Sequence, residues 1–150
     1  MYIKKIILEN IRCFKNLEIN LDKNGSSALI LGDNGDGKST LLKSVAIGLC
    51  DESSAAGFHR ELPGEFVRKH SKKPGVITIE LENKKTKYRI ETTIKSLKSF
   101  ERIKQKVFID GTEDTKEKFP WSNIFVCQWI FLHRKVCVVR CYWKRNGLFP

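Results

Sequence analysis

Residues 32–40 constrain the fold of this chain more than any other stretch of its sequence. They read Gly-Asp-Asn-Gly-Asp-Gly-Lys-Ser-Thr, and Gly32, Gly37, Lys38 and Ser39 fill every fixed position of the pattern G-x-x-x-x-G-K-[ST]. Glycines let the backbone curl so that successive N–H groups point at an anion. Lys38 can reach the β- and γ-phosphates of a nucleotide, and the Ser39 hydroxyl suits Mg2+. The stretch therefore predicts a nucleotide phosphate-binding loop.

The residues on both sides of this loop supply the context that the pattern requires. Residues 27–31 form a short apolar run, which favours a buried parallel strand. A helix starting near Lys38 would place the positive end of its dipole under the phosphates. Apolar side chains recur at helical spacing after the loop, at Leu41, Leu42, Val45, Ala46 and Leu49. The alternative is a glycine-rich turn that binds no ligand.

Length and composition bound the remaining possibilities. The 150 residues suffice for one domain with a core and leave little room for a second. The net charge of +11 indicates polyanionic partners, nucleic acid among them. No run of 18 or more apolar residues predicts a membrane span, and the apolar run at the start is too short for a signal peptide. Five irregularly spaced cysteines do not predict a disulfide framework, so we expect a cytoplasmic protein without a membrane partner.

The remaining elements follow from periodicity and turn residues. Alternating apolar residues predict strands at 2–8 and 17–21, the second with one face in water, and turns are predicted at 9–15 and 22–27. Two alternating runs within 76–94 predict a β-hairpin with a basic tip.

The later segments give weaker signals. Residues 51–75 have no clear period and favour a long loop with one short helix at 64–69. The sequence further predicts a strand over 105–110 that ends at an Asp110–Gly111 turn, an exposed charged segment over 113–118, and a return to the central sheet at 124–126.

The composition changes at Cys127. The last 24 residues contain no Asp or Glu, five Lys or Arg, three of the five cysteines and two of the three tryptophans. We therefore divide the chain into a nucleotide-binding domain at 1–126 and a basic, Cys- and Trp-rich tail at 127–150. The tail is interpreted as an out-of-frame or degraded ending, and a native continuation of the domain is the alternative.

Three features together resemble the ATP-binding domains of the SMC-, RecF- and OLD-like group of ABC-type ATPases. They are the opening Ile-Ile-Leu-Glu-Asn-Ile-Arg-Cys-Phe at 6–14, the strand at 17–21 that leads to the third strand, and the extended loop at 32–42. The hairpin at 76–94 is similar to the antiparallel subdomain of these folds. Within the group, Leu49-Cys50 after the helix and the loop that follows resemble the phage-defence ATPases of the PtuA type.

The resemblance implies an α/β fold, namely a P-loop NTPase of the ABC type, represented by its N-terminal lobe with an antiparallel β subdomain. It implies ATP and Mg2+ as ligands, with Arg12 near a phosphate or the ribose and Phe14 near the base. The alternative is that Phe14 belongs to the core and Arg12 to a solvated turn. Ser39 would bind Mg2+. The phosphate cradle would comprise Gly32, Asn34, Gly35, Asp36, Gly37, Lys38, Ser39 and Thr40.

The chain departs from this family pattern at the elements that complete catalysis. Members have a glutamine loop, a Ser-Gly-Gly-type signature, an Asp-Glu pair after four apolar residues, and a late His, but the signature is absent here. Gly111 follows the Val-Phe-Ile-Asp at 107–110 instead of Glu, which favours a hairpin turn. Gln128 and His133 lie in the tail and lack their context. Asp36 replaces a small residue, and a carboxylate beside phosphates is unfavourable unless it points into solvent.

Other clusters of functional side chains are weaker. The spacing of Cys137, Cys141 and His133 fits a zinc site poorly. Basic residues at the hairpin tip and after it could contact nucleic acid or could simply be solvated strand edges. They are Lys84, Lys85, Lys87, Lys95, Lys98, Arg102, Lys104 and Lys106.

The sequence thus predicts an ABC-type lobe that binds ATP with Mg2+ and shows weak or no turnover by itself. The resemblance places such lobes in DNA repair or phage defence and implies DNA or RNA, a second ATPase subunit or a nuclease as partners. Two alternatives remain open. The chain could be a non-catalytic interaction fragment of a larger ATPase, or a basic nucleic-acid-binding protein.

Overall fold

The computed structural model describes residues 1–21, 28–60, 65–83, 85–96, 101–114 and 136–139. These residues form eight strands and two helices. The strands are β1 (Tyr2–Ile11), β2 (Phe14–Asn20), β3 (Ala28–Leu31), β4 (Gly75–Asn83), β5 (Thr86–Ser96), β6 (Glu101–Ile109), β7 (Thr112–Asp114) and β8 (Val136–Val139), and the helices are α1 (Lys38–Leu49) and α2 (Glu52–Arg60). The combination confirms an α/β fold.

Six strands form one antiparallel sheet in the order β2-β1-β4-β5-β6-β7. Its register aligns apolar side chains in a row across five strands, from Ile19 through Ile6, Ile79 and Ile90 to Val107. Because side chains alternate between the two faces of a strand, this register gives the sheet one buried face. The predicted strands at 2–8 and 17–21 and the hairpin at 76–94 are confirmed.

Helix α1 covers the buried face of this sheet. Leu41 and Val45 on the helix are buried in the same core as Ile77 and Ile79 on β4. A Cβ atom added to Gly48 would lie 2.5 Å from the side chain of Ile79, so only glycine allows this close approach of helix and strand. The glycine that weakens the helical pattern is therefore a packing residue, and the predicted helix is confirmed.

The strand before the phosphate loop differs from the prediction of a buried parallel strand. Strand β3 pairs antiparallel with β8 in a separate two-stranded sheet. Leu29 and Leu31 are 61% and 67% exposed. A short apolar run is compatible with burial but does not determine it, because burial depends on which other elements cover the strand. That prediction is wrong for the residues that the structure describes.

The segment at 51–75 contains a helix that the sequence analysis missed. Asp51 immediately precedes α2, and its Oδ1 accepts the backbone N–H groups of Ser53 and Ser54 at 3.0 and 3.1 Å. The hydroxyl of Ser54 also donates to Asp51, and together these bonds lower the pKa of the Asp51 carboxyl. This is the N-cap arrangement of a helix. The helix predicted at 64–69 is wrong, since the described residues 65–69 are irregular and only Val67 forms a bridge, with Ile11.

The turns are tighter than predicted. Strand β1 continues to Ile11 and β2 begins at Phe14, so the turn predicted over 9–15 contains only Arg12 and Cys13. The predicted strand at 105–110 begins earlier, at Glu101, and the turn at Asp110–Gly111 is confirmed.

Several predictions concern residues outside the described part of the chain. They are the turn at 22–27, the segments 115–118 and 124–126, and the residues Lys84, Lys98, Gln128, His133 and Cys141. Within the part that the structure describes, no helix is long and apolar enough to span a membrane.

Candidate functional site

The loop at 32–40 leads directly into the N-terminus of α1. Gly37 is the N-cap residue, with a left-handed backbone (φ 91°), and no side chain caps the first N–H groups of the helix. The first turn also contains no acidic residue. Uncapped N–H groups and the positive end of the helix dipole together form a site that suits an anion.

Lys38 lies across the beginning of this loop. Its Nζ donates to the carbonyl oxygen of Gly32 at 2.7 Å and to that of Asp33 at 2.5 Å. The side chain is partly buried, so the ammonium group is held beside the loop and does not extend into solvent. An anion that entered the loop would meet a positive charge already placed next to the helix N-terminus.

Asp36 occupies the position at which the sequence analysis expected electrostatic conflict. Its Oδ2 accepts the backbone N–H of Asp33 at 2.5 Å. The residue is exposed, but its carboxylate folds back on the loop instead of pointing away from it. The backbone N–H of Asp33 is thus already paired with the Asp36 carboxylate. A phosphate that used this N–H group would have to displace the carboxylate or bind beside it.

The other cradle residues differ in their exposure. Asn34 and Gly35 are exposed, and Gly35 has a positive φ of 100°. The Ser39 side chain is exposed at the first turn of α1, whereas Thr40 is only 7% exposed. Within the described residues, no group of three or more His, Cys, Asp or Glu could hold a metal ion. The exposed Ser39 hydroxyl is an oxygen of the kind that Mg2+ binds.

The turn between β1 and β2 packs directly on the loop. A Cβ atom added to Gly37 would clash with the Sγ of Cys13 and with the ring of Phe14. Phe14 is therefore a neighbour of the loop at 32–40 and also packs against the core. The guanidinium carbon of Arg12 lies 5.0 Å from the ring centre of Phe66, and its Nε donates to the carbonyl oxygen of Glu65 at 3.2 Å.

A buried acidic group behind this turn was missed by the sequence analysis. The side chain of Glu101 is 6% exposed, and its Oε2 lies 2.7 Å from Nε2 of His59. Burial alone would raise the pKa of the Glu101 carboxyl, but hydrogen bonds from His59 and from the N–H groups of Val67 and Phe66 outweigh it and lower the pKa. No local pattern in the sequence marks Glu101 or His59, because these residues meet through the fold.

A basic cleft was also missed. An open cleft of about 620 Å3 lies beside the end of β1, between the start of β2 and the segment 68–74. Its lining carries four cations, Lys15, Arg68, Lys69 and Lys73. In the part of the chain that the structure describes, none of the four forms an ion pair. The sequence feature that could have predicted this basic cleft is the run Arg-Lys-His-Ser-Lys-Lys at 68–73.

The second basic surface was predicted. Arg102, Lys104 and Lys106 alternate along β6 on its exposed face, and Lys95 lies opposite Arg102 on β5. Lys106 pairs with Glu113 at 3.1 Å. At the hairpin tip, Lys85 and Lys87 are exposed.

Asp110, the one acidic candidate from the motif search, belongs to a turn. Its Oδ1 accepts the N–H of Lys87 at 2.8 Å, and its own N–H donates to the carbonyl oxygen of Lys87 at 2.9 Å. Both Asp110 and Gly111 have positive φ, as a tight hairpin turn between β6 and β7 requires. The structure thus supports the hairpin interpretation of residues 107–110.

Comparison with known proteins adds the family context. A sequence profile described as an AAA domain matches residues 5–139. The DNA double-strand break repair Rad50 ATPase of Nanoarchaeum equitans is 34% identical over 93 residues, which are 59% of this chain and 10% of that protein. The structural maintenance of chromosomes protein 6 of Saccharomyces cerevisiae is 42% identical over 53 residues, or 35% of this chain and 5% of that protein. The DNA replication and repair protein RecF of Rickettsia canadensis is 36% identical over 47 residues, or 31% of this chain and 12% of that protein.

Proposed function

This chain belongs to the AAA domain family and resembles the N-terminal region of Rad50-, SMC- and RecF-like ATPases, and we propose that it binds ATP together with Mg2+. The observation that carries the proposal is the geometry at α1. The uncapped helix N-terminus and the Lys38 ammonium flank the same glycine-rich loop. Both favour the negative charge of a nucleotide's phosphates.

The remaining cradle residues complete the proposed site. The backbone of residues 32–37 would surround the phosphates, and Arg12 and Phe14 would flank the nucleotide on the side of the β1–β2 turn. The exposed Ser39 hydroxyl would bind Mg2+, which neutralises phosphate charge when it is present. Asn34, Gly35, Asp36 and Thr40 belong to the loop and the first helical turn, although Asp36 must release the N–H of Asp33 for a phosphate to use it.

Hydrolysis is proposed to be weak or absent for this chain alone. Phosphoryl transfer depends on positioning and charge neutralisation, and it also needs a residue that orients the attacking water. The described loop supplies groups for binding. Asp110, the acidic candidate, is engaged in the hairpin turn at Lys87.

Titration calorimetry with ATP and Mg2+ tests the binding proposal. Lys38→Ala is expected to weaken ATP binding by about tenfold to a hundredfold, since one charged hydrogen-bond donor to phosphate is lost. Lys43→Ala is the matched control, because it removes the same charge from the same helix outside the loop, and its affinity should change by less than about twofold. Absence of binding by the unmodified chain at millimolar ATP would overturn the proposal. Phosphate release measured in parallel tests turnover.

The cellular role is a further part of the proposal. The chain spans only 5% to 12% of the length of the relatives it matches. We propose a cytoplasmic role in a DNA-repair or phage-defence process of the PtuA type, with a second ATPase subunit or a nuclease as partner. ATP-dependent association with such a subunit, measured by analytical ultracentrifugation, tests it. If association is equal with and without ATP, the chain acts instead as a non-catalytic interaction fragment.

The division after residue 126 also stays a prediction. The family match extends past this point to residue 139, and β8 pairs with β3. We propose that 127–150 is an out-of-frame or degraded ending, and the alternative, which these two observations favour, is a native continuation of the domain. The nucleotide sequence downstream of codon 126 tests this, because a shifted frame that restores a signature and an acidic pair would support the proposal. Homologous in-frame residues at 127–150 in a related full-length sequence would refute it.

Nucleic-acid binding is the second candidate function, and the basic cleft favours it. Asn10 ties one wall of the cleft to β1, since its Nδ2 donates to the carbonyl oxygens of Lys73 and Pro74 at 2.6 and 3.2 Å. The segment that carries Arg68, Lys69 and Lys73 is therefore attached to the sheet, which suits contact with a phosphate chain. DNA affinity that falls steeply with salt and persists in Lys38→Ala would support this function. Affinity that does not depend on salt would contradict it.

A further inference from the structure

Glu101, the first residue of β6, binds three separate groups with one buried carboxylate. The backbone N–H of Phe66 donates to both of its oxygens at 2.9 and 3.0 Å, and the N–H of Val67 donates to Oε1 at 2.8 Å. His59 on α2 donates to Oε2 at 2.7 Å. These partners lie 34 to 42 residues away in sequence. A buried carboxylate with this many donors strongly fixes the segment that provides them.

The segment held by Glu101 is joined to the end of β1. The N–H of Arg12 donates to the carbonyl oxygen of Phe66 at 3.0 Å, and the N–H of Arg68 donates to that of Asn10 at 3.0 Å. Val67 forms an isolated β-bridge with Ile11 between these two bonds. The backbone on both sides of Arg12 is therefore tied to the residues that Glu101 holds.

The side chain of Phe66 also links the Glu101 partner His59 to Arg12. Its ring is fully buried, and the His59 ring packs edge-on against it at 5.8 Å between centres. The Arg12 guanidinium lies 5.0 Å from the same ring centre, which is a cation–π contact. The carbonyl oxygen of Glu65 accepts the Nε–H of Arg12 at 3.2 Å. Both backbone and side chain of Arg12 thus depend on the position of Phe66.

The turn that contains Arg12 also contacts the phosphate loop. Cys13 and Phe14 pack against Gly37 so closely that a Cβ atom there would clash with both. Arg12 itself has a positive φ of 41°, a conformation that non-glycine residues adopt only where neighbouring contacts hold them. The contacts of Glu101 with Phe66, which in turn binds Arg12, stabilise this conformation of Arg12.

We infer that Glu101 is a positioning residue of the nucleotide site, which acts through Phe66 to hold Arg12 and with it the β1–β2 turn, whose Cys13 and Phe14 pack against the loop at 32–40. The inference rests on the proposed ATP binding. It assigns to β6 and α2, which do not belong to the loop, an indirect influence on nucleotide affinity through Phe66 and Arg12. Glu101 itself is not expected to touch the nucleotide.

Calorimetric titration of the full chain with ATP and Mg2+ tests the inference first. Glu101→Gln is expected to weaken ATP binding by about tenfold, the effect of misplacing one charged hydrogen-bond donor. Glu113→Gln is the matched control, because it removes an exposed carboxylate that pairs only with Lys106 among the described residues. Its ATP affinity should stay within about twofold of the original.

A double-mutant cycle separates positioning from a general loss of stability. If Glu101 acts through Arg12, then Glu101→Gln should change ATP affinity by less than about twofold in an Arg12→Ala background. Its effect on thermal stability should persist in that background. An undiminished loss of affinity in the Arg12→Ala background would overturn the inference. If Glu101→Gln fails to fold, Phe66→Leu serves in its place, since it keeps an apolar side chain but removes the ring beneath Arg12.

A measurement without nucleotide tests the role of Glu101 independently of the proposed ATP binding. The Arg12 Nε–H resonance in a two-dimensional 15N NMR spectrum, assigned with Arg12→Lys, reports the hydrogen bond to Glu65 and the Phe66 ring. It should move or broaden in Glu101→Gln and stay unchanged in Glu113→Gln. An unchanged resonance in Glu101→Gln would overturn the inference even if ATP binds. A changed resonance in a chain that does not bind ATP would refute the proposed function and leave the hold on Arg12 intact.

Discussion

Gly37 is the residue at which loop conformation and tertiary packing are most directly linked. Its φ of 91° lies in the left-handed region, and Cys13 and Phe14 occupy the space that a Cβ atom would need. Gly37→Ala should therefore lower the free energy of unfolding by about 2–4 kcal/mol, from left-handed backbone strain and overpacking combined. Urea denaturation followed by circular dichroism measures the change.

Gly57→Ala is the control for this prediction. Gly57 lies within α2, and a Cβ atom there would meet nothing within 4 Å. Alanine is the better helix former by about 1 kcal/mol, so this change should leave stability unaltered or raise it. Equal destabilisation by the two substitutions would show that the loop conformation at Gly37 is not as specific as the structure indicates.

At the residue scale, the sequence locates the loop and suggests the β1–β2 turn as its neighbour, but it does not reveal the contacts of Glu101. The positions of Gly37, Lys38 and Ser39 follow from a local pattern whose spacing is contiguous in sequence. Glu101 and His59 are 42 residues apart, and nothing local marks either of them as a partner. Such contacts depend on the sheet register and on the helix that carries His59, so they become visible only with the fold.

At the level of elements, Gln105 joins the helix that carries the loop to the large sheet. Its Nε2 donates to the carbonyl oxygen of Cys50 at 3.0 Å, at the end of α1, and to Thr92 Oγ1 at 3.1 Å on β5. The last carbonyls of a helix have no partner within the helix, so this side chain acts as a C-cap supplied by a strand. Its backbone N–H also donates to Glu52 at the start of α2.

Gln105→Leu is expected to lower the free energy of unfolding by about 1–2 kcal/mol, because buried carbonyls lose their donor. Gln105→Glu should destabilise more, since it places a carboxylate among acceptors in a site that is 3% exposed. Lys104→Gln, on the exposed face of the same strand, should change stability by less than about 0.5 kcal/mol. Thermal unfolding compares the three. A stabilising Gln105→Leu would mean that Oε1, which lacks a partner among the described residues, costs more than the donors contribute.

Two elements were misjudged for different reasons. Ser53, Ser54 and Gly57 favour loops by composition, but Asp51, two and three residues before the serines along the chain, caps the helix, and this local signal outweighs the composition. The apolar run of β3 suggests burial, but β3 pairs with β8, which is distant in sequence, and Leu29 and Leu31 are exposed. Only the second error depends on a contact outside the local window. The long alternating strands, whose pattern repeats several times, were predicted correctly.

At the scale of the whole molecule, the net charge is +11, and the described residues include two separate basic surfaces. One is the cleft with Lys15, Arg68, Lys69 and Lys73. The other is the exposed face of β5 and β6 with Lys95, Arg102, Lys104 and Lys106. The composition predicts a polyanionic partner but cannot say which surface meets it, because each carries four cations. The cleft cations form no ion pairs among the described residues, whereas Lys106 pairs with Glu113.

Two matched variants decide between these surfaces. Replacing all four cations of the cleft by Gln should reduce the slope of log affinity against log salt for duplex DNA by about 3 to 4, if each contacts a phosphate. The same replacement on β5 and β6 removes an equal charge and should reduce the slope by less than about 1, since only long-range attraction is lost. Fluorescence anisotropy at several salt concentrations measures both slopes. Equal reductions would show that net charge alone attracts the nucleic acid, and a larger reduction for the strand surface would assign the interface to β6.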